Sequence, residues 1–562
     1  MSSQIKMKKE IYINLFQELA DTLVNQQIKS LDPSLDGGVF CKSCKTIHGR
    51  CIDAIYALAV AYDYFHDEKY LDALRGLLNY SKNLLCDDGG LYNDLQTDWR
   101  YTTVFQEIDI IETLNSYEKT LPLDVVEILK HRAQIHASWL YENLDENCGA
   151  VINYPANNAL ALYLAGRYLH KDEYIAKAHH LADYVFHHIS KSNLLYGEAK
   201  PHDLRTKRGC YAIDLGYNLE ETLPALARYA SLANNKDMLD KLYDMALSHI
   251  DFILPDGAID NSFGCRNYKW TYYGSRTCDG LIPLCFIFGK RNPIFYEVAY
   301  RNTKLIKECT FKGALYGGPM YQKHGELPCI HQTFEHINSL AYAMTHLSEI
   351  KEDSDVDLPS DKPFNKYYPE MDSYRISQEN YLADITCYDC NIPYSGHASG
   401  GTLTMLYSRK LGPIIMGSVT EYQLTEATNM QVPLNIAEHR SLLPRFEMKI
   451  DKTVYASSYF TDTKKIGECQ FESGMMNRNG EYLPHSDFVI SYQFLKDRVI
   501  IKIDDYHLDC PFILPLISGQ IKINKGKLIQ KNNIFFLTPG FNASEYIIEK
   551  DHNQIEVEVI VY

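Results

Sequence analysis

Through the first part of the chain, apolar positions recur three and four residues apart in helix-length blocks, the spacing of a helix that buries one face. The blocks run from Ile52 to Phe65, Tyr70 to Leu85, Asn158 to Leu169, Tyr174 to Ile189, Leu219 to Leu232 and Met238 to Ile253, and Ile11, Ile13, Leu15, Phe16, Leu19 and Leu23 give the N-terminus the same pattern. Between blocks stand loops that join a glycine to aromatic or apolar residues. Their glycines, Gly38, Gly90, Gly149, Gly197, Gly257 and Gly313, lie 48 to 60 residues apart, the length of two helices with their turns. Six helical hairpins are therefore predicted. An open solenoid also stacks helix pairs, but its repeats are usually shorter and its loops less rich in glycine with aromatics. A closed (α/α)6-type toroid with the glycine loops around one mouth is the expectation.

After Leu347 the periodicity stops in the acidic, proline-containing stretch Ser348 to Pro363. Short alternating or β-branched runs then take over: Gly401 to Tyr407, Pro413 to Gly417, Phe488 to Phe494, Val499 to Ile503 and Ile555 to Tyr562. They predict an antiparallel β-sandwich. The reading is an α+β multidomain chain with a toroid over 1–350, a linker over 351–370 and a β-sandwich over 371–562.

A length of 562 residues agrees with two domains, since single cores stop growing at about 250–300 residues. No run approaches the roughly 18 uncharged apolar residues of a membrane-spanning helix. The N-terminal segment has no continuous apolar core of a signal peptide, so a cytoplasmic protein is expected, or a periplasmic one if a native leader is missing. Fifteen cysteines in such a chain suit free thiols better than a disulfide framework. A net charge of −16 argues against a nucleic-acid partner and means that any acidic ligand must be met by local arginines.

Four loops concentrate polar and aromatic residues at the presumed mouth: Lys45 to Arg50, Asn153 to Ala159, Arg208 to Glu221 and Asp260 to Arg276. His48, Arg50, Asn261, Arg266, Trp270, Tyr273 and Arg276 are the candidate substrate-binding residues, aromatic platforms and planar forks of the kind that hold an acidic sugar. Structural pairing of Arg50, Arg266 and Arg276 with Asp53, Asp260 or Asp279 is the alternative. No cofactor is required. A structural zinc or calcium ion is the most that is expected, and Cys41-x-x-Cys44 with Cys387-x-x-Cys390 is one zinc-compatible set; Cys41 and Cys44 with the neighbouring His48 and Cys51 is another.

A toroid followed by a β-sandwich resembles the heparinase II/III-like and alginate-lyase-like polysaccharide lyases. That resemblance implies a uronate elimination in which an asparagine, often in Asn-Asn-His, neutralises the carboxylate while a tyrosine and a later histidine handle protons. Asn157-Asn158 matches the first pair, with Ala159 in place of the histidine. The corresponding candidates are Asn158, Tyr211 or Tyr217, and His331 or His336, on an acidic poly- or oligosaccharide. Asn158 is equally a helix-capping residue in type. A glycoside hydrolase using Asp214, Glu220, Glu221 or Asp260, a sugar epimerase, and a non-catalytic glycan-binding protein are the competing functions.

Overall fold

In the computed structural model, the described residues are 3–562 apart from 150, 261, 265, 267, 268, 326, 351–355, 391–396, 418–440 and 537–539. Six outer helices, Ser3–Gln26, Glu68–Tyr80, Leu123–Asn143, Asp172–Phe186, Lys236–His249 and Ile294–Glu308, alternate with six inner ones. The inner set is Ile55–Phe65, Thr103–Tyr117, Asn153–Leu169, a composite of Leu215–Tyr217, Asn218–Thr222 and Leu223–Leu232, then Ile282–Gly289 and Ile330–His346. Outer helices bury one stripe: Glu68–Tyr80 hides Tyr70, Leu71, Leu74, Leu77 and Leu78. Inner helices are covered nearly all round, as the unbroken buried run Pro155 to Gly166 shows.

Each inner helix packs on the next, and Ile330–His346 returns to Ile55–Phe65. The ring is closed. Outside it, Ser3–Gln26 packs on both Ile294–Glu308 and Ile330–His346, with Lys307 ion-paired to Glu18 and the Gly313 amide donating to Glu18 Oε1 at 3.1 Å. An open solenoid has no such contact between its first and last units.

The loop repeat has a specific cause. In the second and fifth hairpins an antiparallel bridge, Leu85 to Leu91 or Ile253 to Ile259, encloses a residue at positive φ, Gly89 or Gly257. The fourth hairpin has the same bridge, Ile189 to Leu195, but the left-handed residue is Asn193 with φ 60°, four positions after the bridge start as in the others. Asparagine is the side chain that best tolerates this conformation. Gly197, read as the repeat mark, lies outside the turn. In the first hairpin Gly37 has φ 83°, and a Cβ on it would sit 1.9 Å from the Gly76 carbonyl oxygen. Gly37→Ala should therefore destabilise the toroid beyond the roughly 1–3 kcal/mol of a left-handed non-glycine. Gly412→Ala, with φ 77° and nothing within 4 Å, carries the backbone cost alone. Denaturant midpoints that were equal for the two variants would refute the backbone-collision argument.

The first strand of the β-domain, Phe364–Tyr368, lies inside the stretch read as linker. Among its described residues the β-domain has three antiparallel sheets, one more than a two-layer sandwich. The first is a meander with the order Gly412–Met416, Thr402–Ser408, Tyr381–Thr386, Ser373–Ser377, Phe364–Tyr368. A five-stranded and a six-stranded sheet make up the rest. The meander is buried on both faces. Leu382, Met405, Tyr407 and Met416 join the toroid core, while Ala383, Leu403, Leu406 and Ile415 join a second core with Val499, Ile501 and Val557. Side chains on opposite faces thus serve different domains, with an irregularity between Leu403 and Met405 shifting the alternation. No helix among the described residues is long and apolar enough to cross a membrane.

Candidate active site

Asp214 ends an extended segment and caps the short helix Leu215–Tyr217: one carboxylate oxygen accepts from the Tyr217 amide at 3.1 Å and the other from the Arg266 amide at 2.7 Å. Two loops far apart in sequence are fixed to each other by this one side chain. The chain then passes through a π-helical turn, Asn218–Thr222. A wider turn lets adjacent residues point inward together, and Glu220 and Glu221 are both buried. Glu220 accepts from the Ser275 amide at 2.6 Å and lies 3.7 Å from His336 Nε2; Glu221 accepts from the Asn153 side-chain amide.

Arg266 is the central cation of this group. Its guanidinium carbon lies 3.1 Å from the centre of the Tyr217 ring, and its Nη2 is ion-paired with Glu198. The Tyr217 hydroxyl shares a hydrogen bond of 2.6 Å with Thr277 Oγ1. Burial raises the Tyr217 phenol well above its usual range, and Arg266 pulls against that rise. Burial also pushes the Glu198 and Glu220 carboxyls up to about 7, opposed by Arg266 and His336 respectively. These two acids are poised near neutrality because the toroid removes them from water.

Asn153 stands at the N-terminus of its inner helix beside an aromatic rim. Trp99 donates from Nε1 to the Tyr154 hydroxyl at 3.0 Å and meets Tyr101 edge-on at 4.8 Å. Trp99 is 40% exposed and Tyr101 and Tyr154 are half-buried. Tyr154 falls in the loop Asn153 to Ala159 picked out above, whereas Trp99 and Tyr101 escaped the sequence reading, although Asp98-Trp99-Arg100-Tyr101 places one of only three tryptophans beside charges in a loop. On the other side, Tyr388 of the β-domain donates to the Tyr211 carbonyl at 2.6 Å and accepts from the Ile213 amide at 3.0 Å, next to Asp214. Tyr388 also lines a groove of about 390 Å³ between the domains, with Lys207, His397, Tyr459 and Arg478.

The predicted residues separate into three groups. Tyr217, Arg266 and the Asn153 helix meet at the mouth. Asn158, one turn and more inside that helix, is fully buried and donates to the Leu144 carbonyl at 2.8 Å, a clasp across the loop of the third hairpin. Tyr211 faces outward, stacked on Tyr196 at 4.0 Å with Arg205 above it at 4.3 Å. Arg50 is bound to Asp53 and Glu335 at 2.6 and 3.0 Å in the ring interior, and Arg276 is buried in the same loop region as Thr277. Trp270 and Tyr273, expected as sugar platforms, are instead core residues: they are 2% and 0% exposed, and the Tyr273 hydroxyl donates to Gln332 at 2.6 Å. The paired two-residue strands Trp270–Thr271 and Gly274–Ser275 fold this turn inward. Asn261 lies outside the described residues. His331 is buried, 3.1 Å from Glu335 and edge-on to His48 at 5.4 Å.

His48 belongs to a different constellation. Its imidazole meets Cys41, Cys44 and Cys329, whose ligand atoms all lie within 4.8 Å of one another, a group able to hold a metal ion. The expected partners Cys387 and Cys390 are not in it. Both are buried elsewhere: Cys387, just past strand Tyr381–Thr386, lies in the core between the meander and the other sheets, and Cys390 packs with Met371 and Tyr388 in a cluster that also holds Cys210 and Ile213 of the toroid. Hydrogen bonds with Cys329 and Cys44 push the Cys41 thiol down. Burial would lower His48, but its hydrogen bonds to Cys41 and Cys44 outweigh that and raise it to about 10.

Comparison with known proteins agrees with this architecture. Residues 16–361 match the family model described as Ulvan lyase N-terminal domain, and residues 365–562 match Ulvan lyase C-terminal domain. A broad-specificity ulvan lyase from Formosa agariphila is 30% identical over 554 residues, covering 95% of this chain and 86% of that protein. In fold, the chain resembles the Streptomyces coelicolor A3 chondroitin AC lyase solved with chondroitin sulphate, with a TM-score of 0.54 and 11% identity over 100% of this chain and 83% of that one. It also resembles heparinase III, with a TM-score of 0.51 and 12% identity over 90% of this chain and 75% of that one. By both of its domains, this chain belongs to the ulvan lyase family and is a polysaccharide lyase of the toroid class.

Proposed function

We propose that the chain cleaves a uronate-containing acidic glycan by β-elimination at the Asn153, Tyr217, Glu221 and Arg266 group, with ulvan the first substrate to test. The observation that carries this reading is the arginine set against a phenol: Arg266 over Tyr217, inside a ring of carboxylates. Elimination requires a cation or amide at the substrate carboxylate, so that the α-proton becomes acidic, and a group that moves that proton and supplies one to the leaving oxygen. Arg266 and the Asn153 amide supply the first; Tyr217 supplies the second. Asn153 takes the neutralising role in preference to Asn158, whose amide is committed to Leu144. His331, held against Glu335 and His48, takes no proton-handling part in this reading. Flanking sugars stack on the Trp99 rim, and the inter-domain groove offers Lys207 and Arg478 to their anionic groups.

Incubation with ulvan, and in parallel with chondroitin sulphate, tests the reaction class. The unsaturated product of elimination absorbs in the near ultraviolet, and its appearance together with new chain ends is the expected result. New reducing ends without that absorbance mean hydrolysis and would sink the proposal.

A further inference from the structure

Three thiols and one imidazole converge where the first hairpin of the toroid meets the last. Cys41 and Cys44 sit on the short two-stranded loop Phe40–Cys41 and Thr46–Ile47, His48 follows it, and Cys329 is the residue before the inner helix Ile330–His346. Cys329 Sγ is 3.8 Å from Cys41 Sγ, 3.5 Å from Cys44 Sγ and 3.7 Å from His48 Nε2. A tetrahedral zinc ion with Zn–S of about 2.3 Å and Zn–N of about 2.0–2.1 Å would set its ligand atoms roughly 3.5–3.8 Å apart. Those three edges fit.

The surroundings are those of a ligand loop. The Cys44 amide donates to Cys41 Sγ at 3.3 Å, and the Lys45 amide donates to the Cys41 carbonyl at 2.8 Å. Lys45 takes φ 56°, which turns the chain tightly between Cys44 and His48. His48 directs Nε2 at the sulfurs and Nδ1 towards Asp94 Oδ1 at 3.8 Å, so that a carboxylate stands behind the imidazole as it does behind many metal-bound histidines. Cys41 and Cys329 are completely buried, and His48 is 1% exposed. A disulfide would use two of the three sulfurs and leave the third beside an imidazole with no function.

We propose that Cys41, Cys44, His48 and Cys329 bind one zinc ion, a structural site that staples the first hairpin of the toroid to the last. All four tetrahedral positions are filled by protein, which is the mark of a structural and not a catalytic zinc. The ion ties residues 285 positions apart, from Cys44 to Cys329. It also anchors the start of the helix that carries His331, Glu335 and His336 into the ring interior. The site stands whatever the substrate proves to be.

Metal analysis of the full-length protein, purified without chelator or added metal, should give about one zinc per chain. Cobalt(II) exchanged into the site should show the visible bands of a tetrahedral thiolate complex. Cys329→Ser should lower zinc content at least tenfold and lower the unfolding midpoint, whereas Cys387→Ser should leave the stoichiometry at one. If Cys329→Ser does not fold, removal of zinc from the wild-type protein by a strong chelator and its return provides the second readout: the midpoint should fall and recover with Zn²⁺. A wild-type protein that carries no zinc and takes up neither Zn²⁺ nor cobalt(II) overturns the proposal, as does a zinc content that survives in a folded Cys329→Ser variant.

Discussion

Tyr217→Phe should lower kcat for glycan cleavage at least about a hundredfold, or roughly 2.7 kcal/mol of transition-state stabilisation, while KM changes little. The substitution deletes one oxygen. The ring remains under the Arg266 guanidinium, and among the described residues the bond lost is that to Thr277 Oγ1 at 2.6 Å. A structural tyrosine at this place would show its loss as instability, with the surviving folded enzyme close to full turnover. Measuring the unfolding midpoint beside kcat separates the two roles. Tyr211→Phe is the internal comparison, because Tyr211 is stacked on Tyr196 away from the mouth. If Tyr211→Phe abolished elimination while Tyr217→Phe left it intact, the reaction centre would have to move to the Tyr196 and Arg205 platform.

The largest expected loss of stability lies at the seam between toroid and meander. Arg375, fully buried on strand Ser373–Ser377, is ion-paired with Asp260 of the fifth hairpin loop and with Asp384 of the adjacent strand at 2.6 Å, and donates to the Asp251 carbonyl at 3.0 Å. Replacing it by methionine fills much of the volume but leaves two carboxylates in the dark with no cation. Breaking a buried pair in this way typically costs about 3–5 kcal/mol. Arg375→Met should therefore lower the apparent unfolding free energy by that amount, and adding Asp384→Asn should recover part of it by removing one stranded charge. A part-exposed arginine provides the contrast: Arg498→Ala cuts links to Asp497 and Glu558, but Glu558 keeps Lys522 and Asn524, so the loss should be much smaller. An Arg375→Met protein within about 1 kcal/mol of wild type would show that the seam is held by apolar contact alone.

The toroid was readable because its rule is local. A glycine turn between two helix-length blocks recurs within each hairpin, and nothing distant is needed to see it. Asn193 defeated the rule in one unit, since asparagine reaches the same backbone conformation and leaves no glycine to find. Individual strands of the meander were readable, but not that they form a sheet of their own, because strands buried on both faces lose the alternation that tells one layer from another. At the site, Arg266 and Tyr217 were visible from loop chemistry. Glu220 and Glu221 side by side were harder, since a regular helix turns neighbours about 100° apart and only the π-helical turn brings both inward. Cys329 was invisible as a partner of Cys41 and Cys44: the pairing depends on closure of the ring, which no spacing in the sequence records.

The contact between Ser3–Gln26 and the last hairpin has a consequence for the order of assembly. Glu18 finds Lys307 only 289 residues further along the chain. During synthesis the apolar side of the first helix therefore waits, uncovered, until nearly the whole toroid has been made. Closing a ring spends loop entropy before the last interface repays it, and folds dominated by such distant contacts form slowly. Until closure, the first and last hairpins each present a sticky edge, the kind of surface through which partly made chains associate with one another or with chaperones.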